Sequence, residues 1–121
     1  MSSESEARVL EFCAAWSRRD ADELLGWFHP DATYHNMPLP PAEGLDAIRG
    51  VLDLFLPMAE EIHFEIHHVA SAGDVVFTER TDHFTTEGVT KSLPVTGVFE
   101  LRDGRIAAWR DYFDLQSFLG A

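Results

Sequence analysis

The chain holds a single cysteine, Cys13, so it has no means of building an internal disulfide framework. A reducing, cytoplasmic compartment is the expectation that follows. Basic residues are scarce, 9 against 21 acidic ones, for a net charge of −12. Nucleic-acid binding needs a basic footprint that releases counterions, and this balance repels phosphate and anionic membrane surfaces alike. No run approaches the roughly 18 apolar residues of a membrane-spanning helix. The start, MSSESEARVL, is polar and acidic, without the basic end and apolar stretch of a secretory leader. There is no GxSxG elbow, no phosphate-cradling glycine-rich loop and no cysteine with an evident catalytic partner. Cys13, between Phe12 and Ala14, reads as a small core residue. A neutral, apolar small molecule is the ligand class that tolerates this composition best.

What is present fits one domain, residues 1–121, with 45% hydrophobic and 25% charged residues. Val9, Phe12, Cys13 and Trp16 recur at helical spacing, which predicts an amphipathic helix over 5–18. Asp20 is placed to cap a second short helix, with Glu23 at capping-box spacing and Leu24, Leu25, Trp27 and Phe28 as its apolar residues. His29-Pro30-Asp31 is expected to stop it, with a short strand at 32–36 and an extended loop through Pro38, Pro40 and Pro41. A third helix is expected over 44–59, with Ile48, Leu52, Phe55 and Leu56 on one side. From Ile62 the period changes to two, and four strands are predicted at 62–71, 74–84, 91–102 and 105–114. Turns at Ala72-Gly73-Asp74, Glu87-Gly88 and Asp103-Gly104 join them into an antiparallel sheet. The expected class is α+β: N-terminal helices packed on a strongly curved sheet, a cone enclosing a small-molecule pocket.

Residues i and i+2 of a strand share a face. Three segments carry pairs at that spacing: Tyr34/Asn36, Arg80/Asp82 and Trp109/Asp111. Val76, Thr78 and Phe84 share the face of Arg80, and Phe113 that of Asp111; the opposite faces read Val75, Phe77, Glu79, Thr81, His83 and Ile106, Ala108, Arg110, Tyr112. Spacing alone leaves open whether Arg80 and Asp82 line a pocket or form a weak surface pair. His63, Glu65 and His67 also alternate onto one face, where a zinc site or a solvated or dimer-facing surface are both open. His68 is expected on the apolar side, and His35 is given no role.

The segment Tyr34-His35-Asn36-Met37-Pro38-Leu39-Pro40-Pro41 resembles the YxNMPLPP loop of limonene-1,2-epoxide hydrolases, and Thr78-Glu79-Arg80-Thr81-Asp82 resembles their TERxD strand. Gly97-Val98-Phe99 and Trp109-Arg110-Asp111-Tyr112-Phe113-Asp114-Leu115 resemble their GVF and WRDYFDL segments, in the same order. The resemblance implies an NTF2-like, SnoaL-like fold, which hosts many functions. It also implies addition of water to an apolar epoxide without cofactor or metal. Asp111 would be the base, Asp82 the acid, Arg80 the bridge between them, and Tyr34 and Asn36 the holders of water. Trp109 would wall the water. Phe84, Phe113, Leu93, Val95, Gly97, Phe55 and Met58 would line the substrate cavity, and the chain would pair as a homodimer.

Two buried carboxylates with one guanidinium carry one uncompensated charge, so one acid should keep its proton; either Asp can be the one. An isomerase or cyclase of the ketosteroid-isomerase or polyketide-cyclase kind also uses pocket carboxylates. A non-catalytic binding or dimerisation module would be favoured by an exposed Arg80 and Asp82 or a filled cavity.

Overall fold

The computed structural model describes residues 2–119. Helix α1 (Ser2–Ala15) buries Val9, Phe12 and Cys13, the stripe its spacing predicts. It ends in a 3-10 turn, Trp16–Arg18, closed by Arg19 at φ 52°. The Asp20 side chain accepts the backbone N–H groups of Asp22 and Glu23 and caps α2 (Ala21–Leu25). The Glu23 carboxylate, expected to return to the cap, pairs instead with Arg18 at 2.5 Å.

Trp27 and Phe28 lie outside the helix, because α2 ends at Leu25 and strand β1 (Phe28–Asn36) begins at Phe28. His29-Pro30-Asp31 is therefore part of the strand rather than a stop. A proline is tolerated there because the neighbouring strand β2 (Ala42–Glu43) pairs only with Thr33 and Tyr34, and the register with the other neighbour breaks between Phe28 and Thr33. The two-residue β2 was not expected from the sequence. Helix α3 (Leu45–Phe55) buries Ile48 and Leu52 and gives way to a 3-10 turn at Leu56–Met58, where Pro57 sits.

The four long strands are β3 (Glu61–Ala72), β4 (Val75–Thr86), β5 (Val89–Arg102) and β6 (Arg105–Tyr112). Glu87-Gly88 and Asp103-Gly104 both have positive φ at both residues, the geometry of the tight turns whose twist suits a hairpin. Strand β6 stops two residues short of its expected end, and a short helix α4 (Leu115–Leu119) follows, its first turn tied by Asp114 to Ser117. The strand order is β2-β1-β6-β5-β4-β3, a mixed, open sheet in which, among the described residues, one pair is parallel, β1 with β6. Among the described residues no helix is long and apolar enough to cross a membrane.

Bulges overturn two facings. The β3–β4 register shifts between Ile66 and His68, so His68 is exposed and pairs with Glu79 at 2.8 Å instead of facing the apolar side. A second shift, between Glu100 and Leu101 on β5 against Ala108 and Ile106 on β6, turns Ile106 inward, where it is fully buried. The helices and the concave face of the sheet share one core, in which the Phe12 ring meets Trp16, Phe28, Phe99 and Trp109 edge-on.

Candidate active site

Strand register gathers the three polar pairs. Thr78, Gly97 and Asp111 stand side by side across β4, β5 and β6, and the parallel register of β1 sets Asn36 next to Asp111 and Tyr34 next to Trp109. Arg80 is buried on the concave side of β4. Its Nε and Nη2 each donate to Asp82 at 2.8 Å, and its Nη1 and Nη2 donate to Asp111 at 3.1 and 2.6 Å. Nη1 also reaches the Thr78 hydroxyl at 3.3 Å. One guanidinium thus grips both carboxylates with two hydrogen bonds each, the bidentate geometry its planar fork favours.

That reach requires a gap in β5, which lies between β4 and β6. Gly97 supplies it: a Cβ there would lie 2.4 Å from Arg80 Nη1 and 2.7 Å from Asp111 Oδ1. The Trp109 indole donates to Asp111 Oδ1 at 2.6 Å, so three N–H donors from two residues converge on this carboxylate. Tyr34 stacks on Trp109 with ring centroids 4.2 Å apart. The guanidinium also lies 4.7 Å from the Phe64 ring centre, a cation–π contact in a dry site.

Burial raises the Asp82 carboxyl above its ordinary pKa; Arg80 opposes this and the charge of Asp111 adds to it. Burial also works against the Arg80 charge, but the two acids outweigh it and hold the guanidinium protonated. Tyr34 is pushed up by burial and by Asp111, with a hydrogen bond from Asn36 opposing, so its hydroxyl keeps its proton. Burial likewise pushes the Cys13 thiol up to about 12, which leaves it an inert core residue.

Above the acids opens a cavity of about 270 Å³, and its wall includes Tyr34, Asn36, Asp82 and Asp111 together with Phe55, Met58, Phe84, Leu93, Val95 and Phe113. Apart from the first four the lining is apolar. Trp109 departs from expectation: it lies behind Tyr34 and Asp111 rather than on the wall, and it holds the carboxylate instead. Arg80 likewise sits behind the acids. Sequence reasoning missed Trp16, Phe64 and Phe118 as wall residues. The inward alternation of Ile62 and Phe64 carried a signal for Phe64; Phe118 lies on the unexpected helix α4.

With Arg80 and Asp82 buried and the cavity open, neither condition favouring a non-catalytic module is met. His63, Glu65 and His67 lie on the convex face. There Glu65 bonds His83 at 2.9 Å, His67 bonds the Thr81 hydroxyl, and His63 stacks on His83. Among the described residues no group of three or more His, Cys, Asp or Glu side chains is placed to hold a metal ion. His35 hydrogen-bonds the Leu39 carbonyl at 2.9 Å and so pins the proline-rich loop beside the cavity.

Residues 9–109 match the SnoaL-like domain family. The chain is 36% identical over 112 residues to the epoxide hydrolase EphG of Mycobacterium tuberculosis, an alignment spanning 88% of this chain and 71% of that protein. The structure of an LEH-like epoxide hydrolase from M. tuberculosis superposes with a TM-score of 0.81 at 31% identity, covering 98% of this chain and 89% of that one. A SnoaL-like protein from Shewanella putrefaciens superposes with a TM-score of 0.86 at 18% identity, covering 97% and 94%, a likeness of fold alone.

Proposed function

Because the chain belongs to the SnoaL-like domain family and its cavity ends on two buried carboxylates bridged by one guanidinium, we propose that it is a cofactor-independent epoxide hydrolase. Its substrate is an apolar small-molecule epoxide, and its product a vicinal diol. The observation that carries this reading is the unlike surroundings of the two acids. Asp111 receives three N–H donors, two from Arg80 and one from Trp109, against two from Arg80 on Asp82, and it stands beside Asn36, where a water to be activated would lie. Asp82 is raised by burial, which suits a carboxyl that keeps a proton to give away.

In this mechanism a water lies against Asp111, held by the Tyr34 hydroxyl and the Asn36 side chain. Asp111 takes its proton as the oxygen attacks an epoxide carbon, and Asp82 protonates the ring oxygen as the carbon–oxygen bond breaks. Negative charge moves from Asp111 to Asp82 with the site's total charge unchanged, and Arg80, bonded to both, stabilises it on either carboxyl. The apolar wall excludes bulk water and receives the hydrocarbon part of the substrate. The family relationship to EphG supports the same chemistry. An enolising isomerase would use an oxyanion hole more than a held water, and the Tyr34–Asn36 pair beside Asp111 favours the hydrolase.

Turnover of a panel of apolar cyclic and aryl epoxides, with EDTA present and ketosteroids as controls, tests the reading. Diol formation from at least one epoxide and none from the ketosteroids is expected. Ketosteroid isomerisation without epoxide opening would replace it.

A further inference from the structure

The cavity above the acids adjoins a second one of about 390 Å³. Five residues, Phe55, Met58, Phe84, Leu93 and Phe118, line both. Phe55, Phe84 and Phe118 are half-buried and Met58 is exposed, so the boundary between the two is an apolar neck with open space on either side. The outer chamber lies over the tip of the β4–β5 hairpin, where Thr86, Glu87, Val89 and Lys91 face Ser117 and Phe118 of α4. Met58 and Val89 in its wall are 60% and 64% exposed, an apolar surface left uncovered beside the neck.

Lys91, the chain's one lysine, stands in that wall. The β4–β5 ladder runs without a register shift, so Lys91 shares the concave face of Leu93 and Val95, which line the inner cavity. Leu93 pairs with Asp82 and Lys91 with Phe84, which sets Lys91 about 7 Å further along the sheet toward the mouth. Its side chain is exposed and, among the described residues, forms no ion pair, although the chain carries 21 acidic residues. Glu60 accepts the Gly88 N–H at 2.9 Å, and Glu87 sits on the hairpin turn itself. At the inner end no cation is free: the Arg80 guanidinium directs its N–H groups to Asp82, Asp111 and Thr78. A ligand's carboxylate is therefore repelled from the inner end by the two acids and attracted at the mouth by Lys91. The net charge of −12 acts against anions at long range, but salt screens that field, whereas a contact with Lys91 is local.

We propose that the two cavities together take an epoxide borne on a hydrocarbon chain that ends in a carboxylate, and that Lys91 is the specificity-determining residue that receives this carboxylate. The epoxide reaches Asp82 and Asp111, the chain passes the neck, and the acidic group meets the ammonium at the mouth. The substrate class narrows from apolar epoxides to epoxides of long-chain monocarboxylic acids. The epoxide part of this statement rests on the proposed hydrolase reading; the carboxylate site is tested apart from it.

A carboxylate and its carboxamide have the same shape and differ in charge, so their ratio isolates the ion pair. In the kinetic arm, kcat/KM is measured for 10,11-epoxyundecanoate and its carboxamide, and for 3,4-epoxybutanoate and its carboxamide, with wild type, Lys91→Met and Lys91→Glu. Lys91 is exposed, so neither substitution touches the core. The carboxylate-to-carboxamide ratio of the long pair should fall about three- to fivefold in Lys91→Met, the worth of one solvent-exposed ion pair, and further in Lys91→Glu. The ratio of the short pair should hold, because its carboxylate cannot span the neck. An unchanged long-pair ratio would overturn the proposal, and so would an equal fall for both pairs, the mark of a general charge effect. In the binding arm, calorimetry with decanoate and decanamide asks the same question with no epoxide present. Lys91→Met should weaken decanoate about three- to fivefold relative to decanamide. That result with no epoxide opened by the wild type would overturn the hydrolase reading and keep the carboxylate site. Epoxide opening without it would overturn the carboxylate site alone.

Discussion

Gly97 faces Arg80 so closely that a methyl group on its α-carbon would lie 2.4 Å from Nη1. The absent side chain is what lets a guanidinium on β4 cross β5 to a carboxylate on β6. Gly97→Ala should therefore displace Arg80 from Asp111. A loss of about a hundredfold or more in kcat/KM is expected from the misplacement, with a destabilisation of about 1–3 kcal/mol from overpacking. Kinetics and thermal melts of the variant check both; near-native values would mean that the bridge is dispensable.

The two acids should fail alike under substitution but for different reasons. Asp82→Asn and Asp111→Asn keep shape and lose a proton role, so each should lower kcat by about two to four orders of magnitude with the fold intact by circular dichroism. Arg80→Ala strands two buried carboxyls and should also destabilise, by about 3–5 kcal/mol. Near-native turnover by Asp111→Asn would show the base to be elsewhere.

Asp82 gives the pH dependence a sign. Its carboxyl is raised above the ordinary 3.8, by burial first. A raised acid favours the folded state when protonated. That contribution is complete below 3.8 and is lost as pH climbs through the raised value. In the proposed mechanism the same deprotonation removes the general acid, so kcat/KM should fall on an alkaline limb above the ordinary carboxylate range. Asp82→Asn should abolish that limb in whatever residual activity remains; a limb that persists would belong to another group.

Assembly is open to a direct measurement. The convex face of β3 to β6 carries exposed Phe77 and Tyr112 and a set of paired His and Glu side chains, and we expect it to join two copies of the chain. Sedimentation should give about twice the 13.6 kDa chain mass at micromolar concentration. A 13.6 kDa species under those conditions would contradict this.

The sequence made the polar centre of the cone readable because strand parity is rigid: Arg80 and Asp82, two apart, must share a face, and so must Trp109 and Asp111. Parity misled only across bulges. The extra residues at His67 and Ala107 reverse the facing of His68 and Ile106, and nothing in the side-chain pattern marks either bulge. Strand content around Pro30 and the whole of β2 were hidden, because both depend on which strand lies alongside. Trp16 and Phe118 reach the cavity from helix ends, so their role is set by tertiary packing, where core and cavity wall have the same composition. The part Gly97 plays was invisible for a related reason. Its importance is the space it leaves for a side chain seventeen positions away, not its own conformation.

The route of the oxygen tests the central claim most directly. A carboxylate that attacked carbon itself would form an ester and need a second base to hydrolyse it. Asp111 is instead held by Arg80 and Trp109, with Asn36 next to it on the neighbouring strand, where the proposed mechanism puts the attacking water. A single turnover in oxygen-18 water, with enzyme in excess over epoxide, distinguishes the two. Direct attack places the label in the diol at that first turnover, with inversion at the attacked carbon. A first-turnover diol carrying unlabelled oxygen from the protein would contradict the account.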